Sequence, residues 1–188
     1  MEVSFSYIST FISLVYGLAL AHALSCIAEY IQHFKEIKHY CVWWIWALFL
    51  FFLIGASWWG FFTDWGEVTE WKRYYLLFIM FQSGLLYLVF YSFFDRFEEL
   101  EDKSLETQFL KNRKPVFISI ALLFFTRGIL SQLLLTDSAL FMIVKVRLFL
   151  VILSLLLASL AFIKNRSVQF ISSLLFLTWL FLSSVIEF

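Results

Sequence analysis

The stretch Tyr40–Phe62, YCVWWIWALFLFFLIGASWWGFF, is apolar throughout and contains no charged side chain. An apolar run of about 20 residues matches the hydrocarbon thickness of a bilayer when it is helical. Lipid offers the backbone no hydrogen-bond partners, so a segment that crosses it must satisfy its own N–H and C=O groups. The stretch therefore predicts a membrane-spanning helix, and it indicates the fold class of the chain.

The rest of the chain repeats this pattern. Of its 188 residues, 62% are hydrophobic and 15% are charged, whereas soluble domains have about 45–50% apolar and about 25% charged residues. The charges are bunched between long apolar runs. We therefore expect an all-α fold, a single transmembrane helical bundle over residues 1–188. The six expected spans cover about 5–31, 40–62, 74–94, 116–135, 140–163 and 168–186.

Basic residues in the loops predict the orientation, because cytoplasmic loops carry an excess of Lys and Arg. The loops after the first, third and fifth spans hold most of the basic residues that lie outside the spans. The loop after the second span holds only Lys72 and Arg73. This bias predicts that both termini are outside (N-out, C-out), with the spans in contact with membrane lipids; in a bacterial cell this means the inner membrane.

The longest cytoplasmic loop is expected at 95–115, with acidic residues first and basic residues last, an order that resembles a short cytoplasmic helix. The basic residues would meet anionic lipid where the fourth span begins. Pro115 marks the expected start of this span, since proline is well suited to the first position of a helix. We interpret the loop as a solvated linker, and a docking site for a soluble partner is the alternative.

Small residues recur at every fourth position of the first span, which places them on one helix face. Small residues let a second helix approach closely, and serines can hydrogen-bond across the contact. The pattern predicts a helix-packing seam, either within the chain or between the subunits of a homo-oligomer. The seam consists of Ser9, Ser13, Gly17, Ala21 and Ser25.

Arg127 interrupts the apolar stretch Ala121–Leu135, ALLFFTRGILSQLLL. It lies about 18 Å into the fourth span, where a charge costs about 2.5–3.5 kcal/mol on insertion scales. One interpretation is a structural ion pair with Asp137 or Glu187, with Gln82 as a hydrogen-bond partner. The other is a cationic site open to the outside, for an anion, a lipid phosphate or a conducting pore.

Several further polar residues lie inside the expected spans. Lys145 and Arg147 share the outer half of the membrane with Arg127. His22 is expected near the middle of the first span, as a hydrogen-bonded packing residue or, alternatively, as a proton relay. The ligand or pore candidates are Arg127, Lys145, Arg147, His22, Gln82 and Gln132.

Other classes of function lack their sequence signatures. The chain has no metal-ligand set, no glycine-rich phosphate loop and no nucleophile with a neighbouring base, so we expect no enzyme activity, no metal and no cofactor. The net charge of zero gives no indication of nucleic-acid binding. Cys26 and Cys41 lack metal-ligand spacing and are interpreted as small apolar fillers.

Three segments carry a resemblance to a known group of proteins. They are GLALAHALSCIAEYI in the first span, WALFLFFLIGASWWGFF in the second, and FLKNRKPVF at the start of the fourth. In these segments the chain resembles a family of bacterial six-span inner-membrane proteins with a GLAL-type motif and a Trp-rich second span. The resemblance implies a fold and a compartment, and it implies no activity.

Three hypotheses for function follow. The first is an oligomeric channel-like or ion-conducting protein, whose polar residues would converge on a symmetry axis. The second is a transporter or binding protein for an anion or a lipid headgroup, whose polar residues would lie inside one protomer. The third is a non-conducting scaffold or partner subunit, in which those residues would be dispensable and residues 98–106 would matter.

Overall fold

The structure is a computed structural model, and it describes residues 5–66, 68, 71–134, 140–163 and 165–186. Within them, the side chains of 64, 129–134, 140–148 and 183–186 are left out of the description. This part of the chain contains α-helices, two short 3₁₀ turns at Phe97–Glu99 and Glu101–Lys103, and no β-strand. The six helices are α1 (Phe5–Gln32), α2 (Cys41–Trp65), α3 (Arg73–Phe93), α4 (Leu105–Leu134), α5 (Leu140–Leu160) and α6 (Arg166–Ile186). The expected all-α class is confirmed.

Three helical segments among the described residues are long and apolar enough to cross a membrane: Phe5–Gln32, Cys41–Thr63 and Arg73–Phe93. The described parts of α5 and α6 contribute shorter apolar stretches, Phe149–Leu160 and Arg166–Leu182. Helices of this length and composition are typical of a membrane protein. The count of six spans and the orientation stay predictions.

Of the three long apolar segments, that of α2 is the most buried. α1 packs on α3, α3 on α4, α4 on α5 and α2 on α6, and α2 also contacts α1 and α4. Half of the apolar segment of α2 is buried inside the chain, against 22% of that of α1. A helix that is apolar on every face suits such a central position. Its aromatic side chains fill the core, as where the rings of Trp46 and Phe117 meet edge-on at 4.8 Å.

α4 begins earlier than the sequence predicts. Its first residue is Leu105, and Pro115 lies inside the helix. Leu105, Phe109 and Val116 are buried against the bundle, so packing extends the helix through a position where proline removes one backbone hydrogen bond. The second half of the segment 95–115 is helical, as its charge order suggests, but it is continuous with α4 and partly buried; its place in a cytoplasmic loop stays a prediction.

The ends of α1, α3 and α5 lie close to the starts of α2, α4 and α6, and we call this side of the bundle the clasped end. Backbone hydrogen bonds join the connection between α1 and α2 to the segment before α4 at this end. The Lys38 N–H donates to the Lys103 carbonyl at 2.8 Å, and the Leu105 N–H donates to the Lys38 carbonyl at 3.2 Å. Lys103 also forms an ion pair with Glu36. The first half of the 95–115 segment is thus held against the connection between α1 and α2.

Candidate functional site

A cavity lies between α1, α2, α3 and α4, on the side of the bundle opposite the clasped end. Its volume, taken as the space open to the centre of a water molecule, is about 50 Å³. Its apolar wall includes Ile12, Phe61, Trp65, Ile79 and Leu123. Its polar lining consists of Tyr16, Ser57, Gln82, Ser83 and Arg127.

Arg127 reaches this cavity by passing close to Gly60 of α2. A Cβ atom at position 60 would lie 2.2 Å from Arg127 Nη2 and 3.2 Å from its Cζ. The first distance is shorter than real contacts allow and the second is tight, so the absence of a side chain at Gly60 makes room for the guanidinium. Arg127 also takes part in a further interaction beyond the cavity lining. The guanidinium is therefore a positioned group of the bundle interior.

Gln82 is the other predicted candidate that the structure brings to Arg127. Its Nε2 donates to the Thr126 hydroxyl at 2.6 Å, and that hydroxyl donates to the Leu122 carbonyl at 2.7 Å. Thr126 directly precedes Arg127, so this chain of hydrogen bonds joins α3 to α4 at the cavity. Ser83, also on α3, is buried and lies beside the Tyr16 side chain of α1.

The remaining charged and amide candidates lie outside the description. The side chains of Gln132, Lys145 and Arg147 belong to the segments whose side chains are not described, and Asp137 and Glu187 lie outside the described residues. The predicted gathering of three cations therefore stays a prediction. What the structure brings together from the sequence candidates is Arg127 and Gln82.

His22 does not line the cavity. Its Nε2 lies 2.8 Å from the carbonyl oxygen of Phe94, just past the end of α3, so the ring donates a hydrogen bond there. The Cys26 thiol points at the same oxygen at 3.7 Å, and the ring stacks on Tyr91. The last carbonyls of a helix lack partners within the helix. His22 supplies one, and its placement favours the interpretation as a packing residue.

The ridge of small residues on α1 faces away from the core. Gly17 has open space around it, and the neighbouring face with Ile12 and Ala23 is the buried one. One contact joins the ridge to another helix, since Trp58 Nε1 donates to Ser13 Oγ at 3.1 Å. Most of the ridge Ser9, Ser13, Gly17, Ala21 and Ser25 is therefore exposed within the described chain. The seam between subunits stays a prediction.

Sequence reasoning missed a set of buried polar contacts at the clasped end. Arg113 is only 5% exposed, and its Nη1 donates to the Ile163 carbonyl at 3.1 Å. Gln169 Nε2 donates to the same oxygen at 2.9 Å and to the Leu160 carbonyl at 3.0 Å. These carbonyls lie at and just after the C-terminal end of α5, where a positive charge is favourable. No pattern in FLKNRKPVF distinguishes Arg113 from a solvated base.

The end of α3 is held in the same manner. Gln108 Nε2 donates to the Phe93 carbonyl at 2.8 Å, and the Phe97 N–H donates to Glu29 Oε2 at 2.9 Å. Asn112 donates to both carboxylate oxygens of Asp95, while burial raises the pKa of the Asp95 carboxyl above its ordinary value. Side chains from α1 and from the start of α4 thus hold the turn that follows α3.

Among the described residues, no group of three His, Cys, Asp or Glu side chains is placed to hold a metal ion. Comparison of the chain with models of protein families, with curated proteins and with solved structures found no match.

Proposed function

We propose that this chain is a six-span protein of the bacterial inner membrane, N-out and C-out, which binds an anion in the cavity at Arg127 and acts as an anion transporter or binding protein. The observation that carries the proposal is the composition of the cavity. One guanidinium stands with the hydroxyls of Tyr16, Ser57 and Ser83 around a space inside a single chain. Guanidinium and hydroxyl groups both donate hydrogen bonds, which is the chemistry that an anion needs.

The position of the cavity supports access from the outside. Gly60 lies five residues before the last residue of α2, which corresponds to about 8 Å along a helix. In the proposed orientation this end of α2 faces the exterior. Arg127 is half-buried, and a cation within such a distance of the surface can attract an anion from solution, because the surrounding apolar wall screens its charge poorly.

The test is anion binding and anion flux with wild type, Arg127→Gln and a control, Arg166→Gln. Arg166 is a surface residue paired with Glu106 at 2.6 Å, so the control removes the same charge away from the cavity. We expect saturable anion binding by wild type and by the control, and at least tenfold weaker binding by Arg127→Gln.

Flux of the same anions into liposomes then distinguishes a transporter from a binding protein. Flux that depends on Arg127 indicates a transporter, and binding without flux indicates a binding protein. Folded wild-type protein that neither binds nor passes any anion contradicts the proposal.

A channel-like homo-oligomer is the second candidate, and the exposed ridge on α1 favours it. A helix face of small residues that the chain leaves uncovered suits close packing against a second copy. Single cysteines at Ser13 and at Ala21, each in a Cys41→Ser background, should form crosslinked dimers in membranes if the ridge is a seam. A cysteine at exposed Leu14, beside the ridge, should not. Equal crosslinking at all three positions would reject this candidate.

A further inference from the structure

A surface groove lies at the clasped end, between the start of α2 and the start of α6. Its polar lining includes Tyr40, Arg166 and Ser167, and the exposed side chain of Ile171 belongs to its apolar lining. The apolar segments of the two helices begin at the same level, at Cys41 and at Arg166. In a membrane, the lipid headgroups lie where such segments begin, and tyrosine is enriched there. The groove is therefore at headgroup level.

We infer that this groove binds one glycerophospholipid with a zwitterionic headgroup, as in phosphatidylethanolamine. The inference depends on the proposed place of the chain in a membrane, and it is independent of the anion site at Arg127. A lipid of this kind is amphipathic, and so is the groove. A second copy of the chain would bring an apolar helix to the same place, and such a helix makes no use of the polar groups of Tyr40, Arg166 and Ser167.

The charged end of the groove is an ion pair. Arg166 Nη2 lies 2.6 Å from Glu106 Oε1 of α4, and the Arg166 side chain is 74% exposed. Both charges act on the Tyr40 side chain. A guanidinium has five N–H donors and a carboxylate has several acceptor positions, so the pair can form further hydrogen bonds. A lipid phosphate would accept from Arg166, and an ammonium group on the same headgroup would donate to Glu106. The pair has no net charge, and a zwitterionic headgroup adds none.

An apolar surface continues from the groove along α2. Cys41, Leu48 and Phe52 are seven and four residues apart, which places them on one face of the helix. All three are exposed, and the Phe52 ring meets that of Phe181 of α6 edge-on at 6.1 Å. From Cys41 to Phe52 the helix rises by about 16 Å. This is about half of the hydrocarbon thickness of a bilayer, which is the depth of one leaflet. The surface therefore suits the acyl chains of a lipid whose headgroup is in the groove.

Cys41 lines the groove and provides the measurement. It is exposed, whereas Cys26 is buried, so a water-soluble maleimide should modify Cys41 selectively in the folded chain. The experiment measures the rate of this modification in detergent micelles, by intact mass spectrometry. Phosphatidylethanolamine is added, or a diacylglycerol with the same acyl chains and no phosphate. We expect at least about fivefold slowing by phosphatidylethanolamine, which corresponds to lipid at about four times its dissociation constant, and little slowing by the diacylglycerol.

Three variants show which groups recognise the headgroup. Arg166→Gln should lose the slowing, and Arg96→Gln, at an exposed arginine of the same end, should keep it. Glu106→Gln should weaken the effect of phosphatidylethanolamine and leave that of anionic phosphatidylglycerol no weaker than in wild type. Each ratio of rates with and without lipid is taken within one variant, so changes in the reactivity of the thiol itself cancel. If Arg166→Gln does not fold, Ser167→Ala replaces it.

The outcomes separate this inference from the proposed function. Equal slowing by phosphatidylethanolamine and diacylglycerol, or by wild type and Arg166→Gln, would reject a phospholipid site. Stronger slowing by phosphatidylglycerol in wild type would overturn the zwitterionic class. Slowing that rises with protein concentration and needs no added lipid would assign the groove to a second copy of the chain. All of these results leave Arg127 intact and its anion site standing, whereas folded protein that stays in solution without detergent would contradict the proposed place in a membrane.

Discussion

Two arginines of one helix, one buried and one half-buried, differ in what surrounds the guanidinium. Arg113 and Arg127 both belong to α4, about four turns or about 21 Å apart and on nearly the same side of the helix. Arg113 donates to a carbonyl at the end of α5. Arg127 lines a cavity and passes over Gly60. The two sites differ in what surrounds the charge, since one is closed by backbone acceptors and the other leaves space beside hydroxyl donors.

A buried arginine is not by itself evidence of a ligand site, because the protein can supply its partner, as it does for Arg113. At Arg113 the partner is supplied by the fold, because carbonyls at a helix C-terminus have no partner within the helix and carry partial negative charge. At Arg127 the neighbouring polar groups are the hydroxyls and the amide that line the cavity, and hydroxyl groups can donate to an anion as well as accept. A cavity rich in donors is therefore the more specific indication of an anion.

The largest effect on stability should follow Arg113→Met. This change removes a charged hydrogen bond and leaves packed volume to refill, so we expect a loss of about 2–4 kcal/mol in the free energy of unfolding. Denaturant unfolding in micelles measures it, with exposed Lys114→Met as the control. Anion binding by the protein that remains folded should be unchanged. A loss below about 0.5 kcal/mol would remove the distinction between the two arginines.

Gln169→Leu should have a smaller effect, about 1–2 kcal/mol, because it removes two neutral hydrogen bonds to carbonyls after α5. Gln169 and Arg113 donate to the same Ile163 oxygen, so the two changes should not be additive. A double-mutant cycle on the free energy of unfolding measures the coupling, and we expect at least 0.5 kcal/mol. Strict additivity would mean that the two donors act independently.

Thr126→Val tests the hydrogen bonds that join α3 to α4 at the cavity. The valine keeps the shape and removes the hydroxyl that accepts from Gln82, so we expect a loss of about 1 kcal/mol in the free energy of unfolding. Anion affinity should fall as well, since Gln82 and Arg127 would both be less fixed. Thr178→Val, at an exposed threonine on α6, is the matched control. Unchanged affinity in Thr126→Val would show that the hydrogen bonds serve only packing.

The smallest expected effect is that of pH on the backbone hydrogen bonds at the clasped end. Hydrogen bonds from Lys103 and His33 hold the pKa of the exposed Glu36 carboxyl below its ordinary value. The ion pair therefore contributes above the ordinary pKa of a glutamate and is lost as the pH falls through the lowered value. Hydrogen exchange of the Lys38 and Leu105 amides should show weaker protection at pH 3 than at pH 6. In Glu36→Gln, protection should be the same at both pH values; a persisting difference would assign the effect to another group.

The helices could be predicted best, because a long uncharged apolar run such as that of α2 can satisfy its backbone hydrogen bonds in lipid only by forming a helix. The position of Arg127 and Gln82 on the same cavity was also predictable, because polar side chains in apolar spans are expected to face a shared interior. The start of α4 was not, because Leu105 and Phe109 acquire a core only when the bundle forms. The role of Arg113 was equally unpredictable, because its partner is the backbone carbonyl of Ile163, just after α5, and a backbone partner cannot be recognised from residue types.

α4 has a mechanical consequence. It is one continuous helix of 30 residues, about 45 Å long. Arg113 is held by a hydrogen bond in its first third, and Arg127 lines the cavity. A rigid tilt of about 5° pivoting at Arg113 would displace the backbone at Arg127 by about 2 Å. That displacement is similar to the 2.2 Å between Arg127 Nη2 and the place where a Cβ atom at position 60 would lie. A protein or lipid that pushes on the exposed Leu110 and Lys111 would therefore shift the guanidinium from the far side of the bundle.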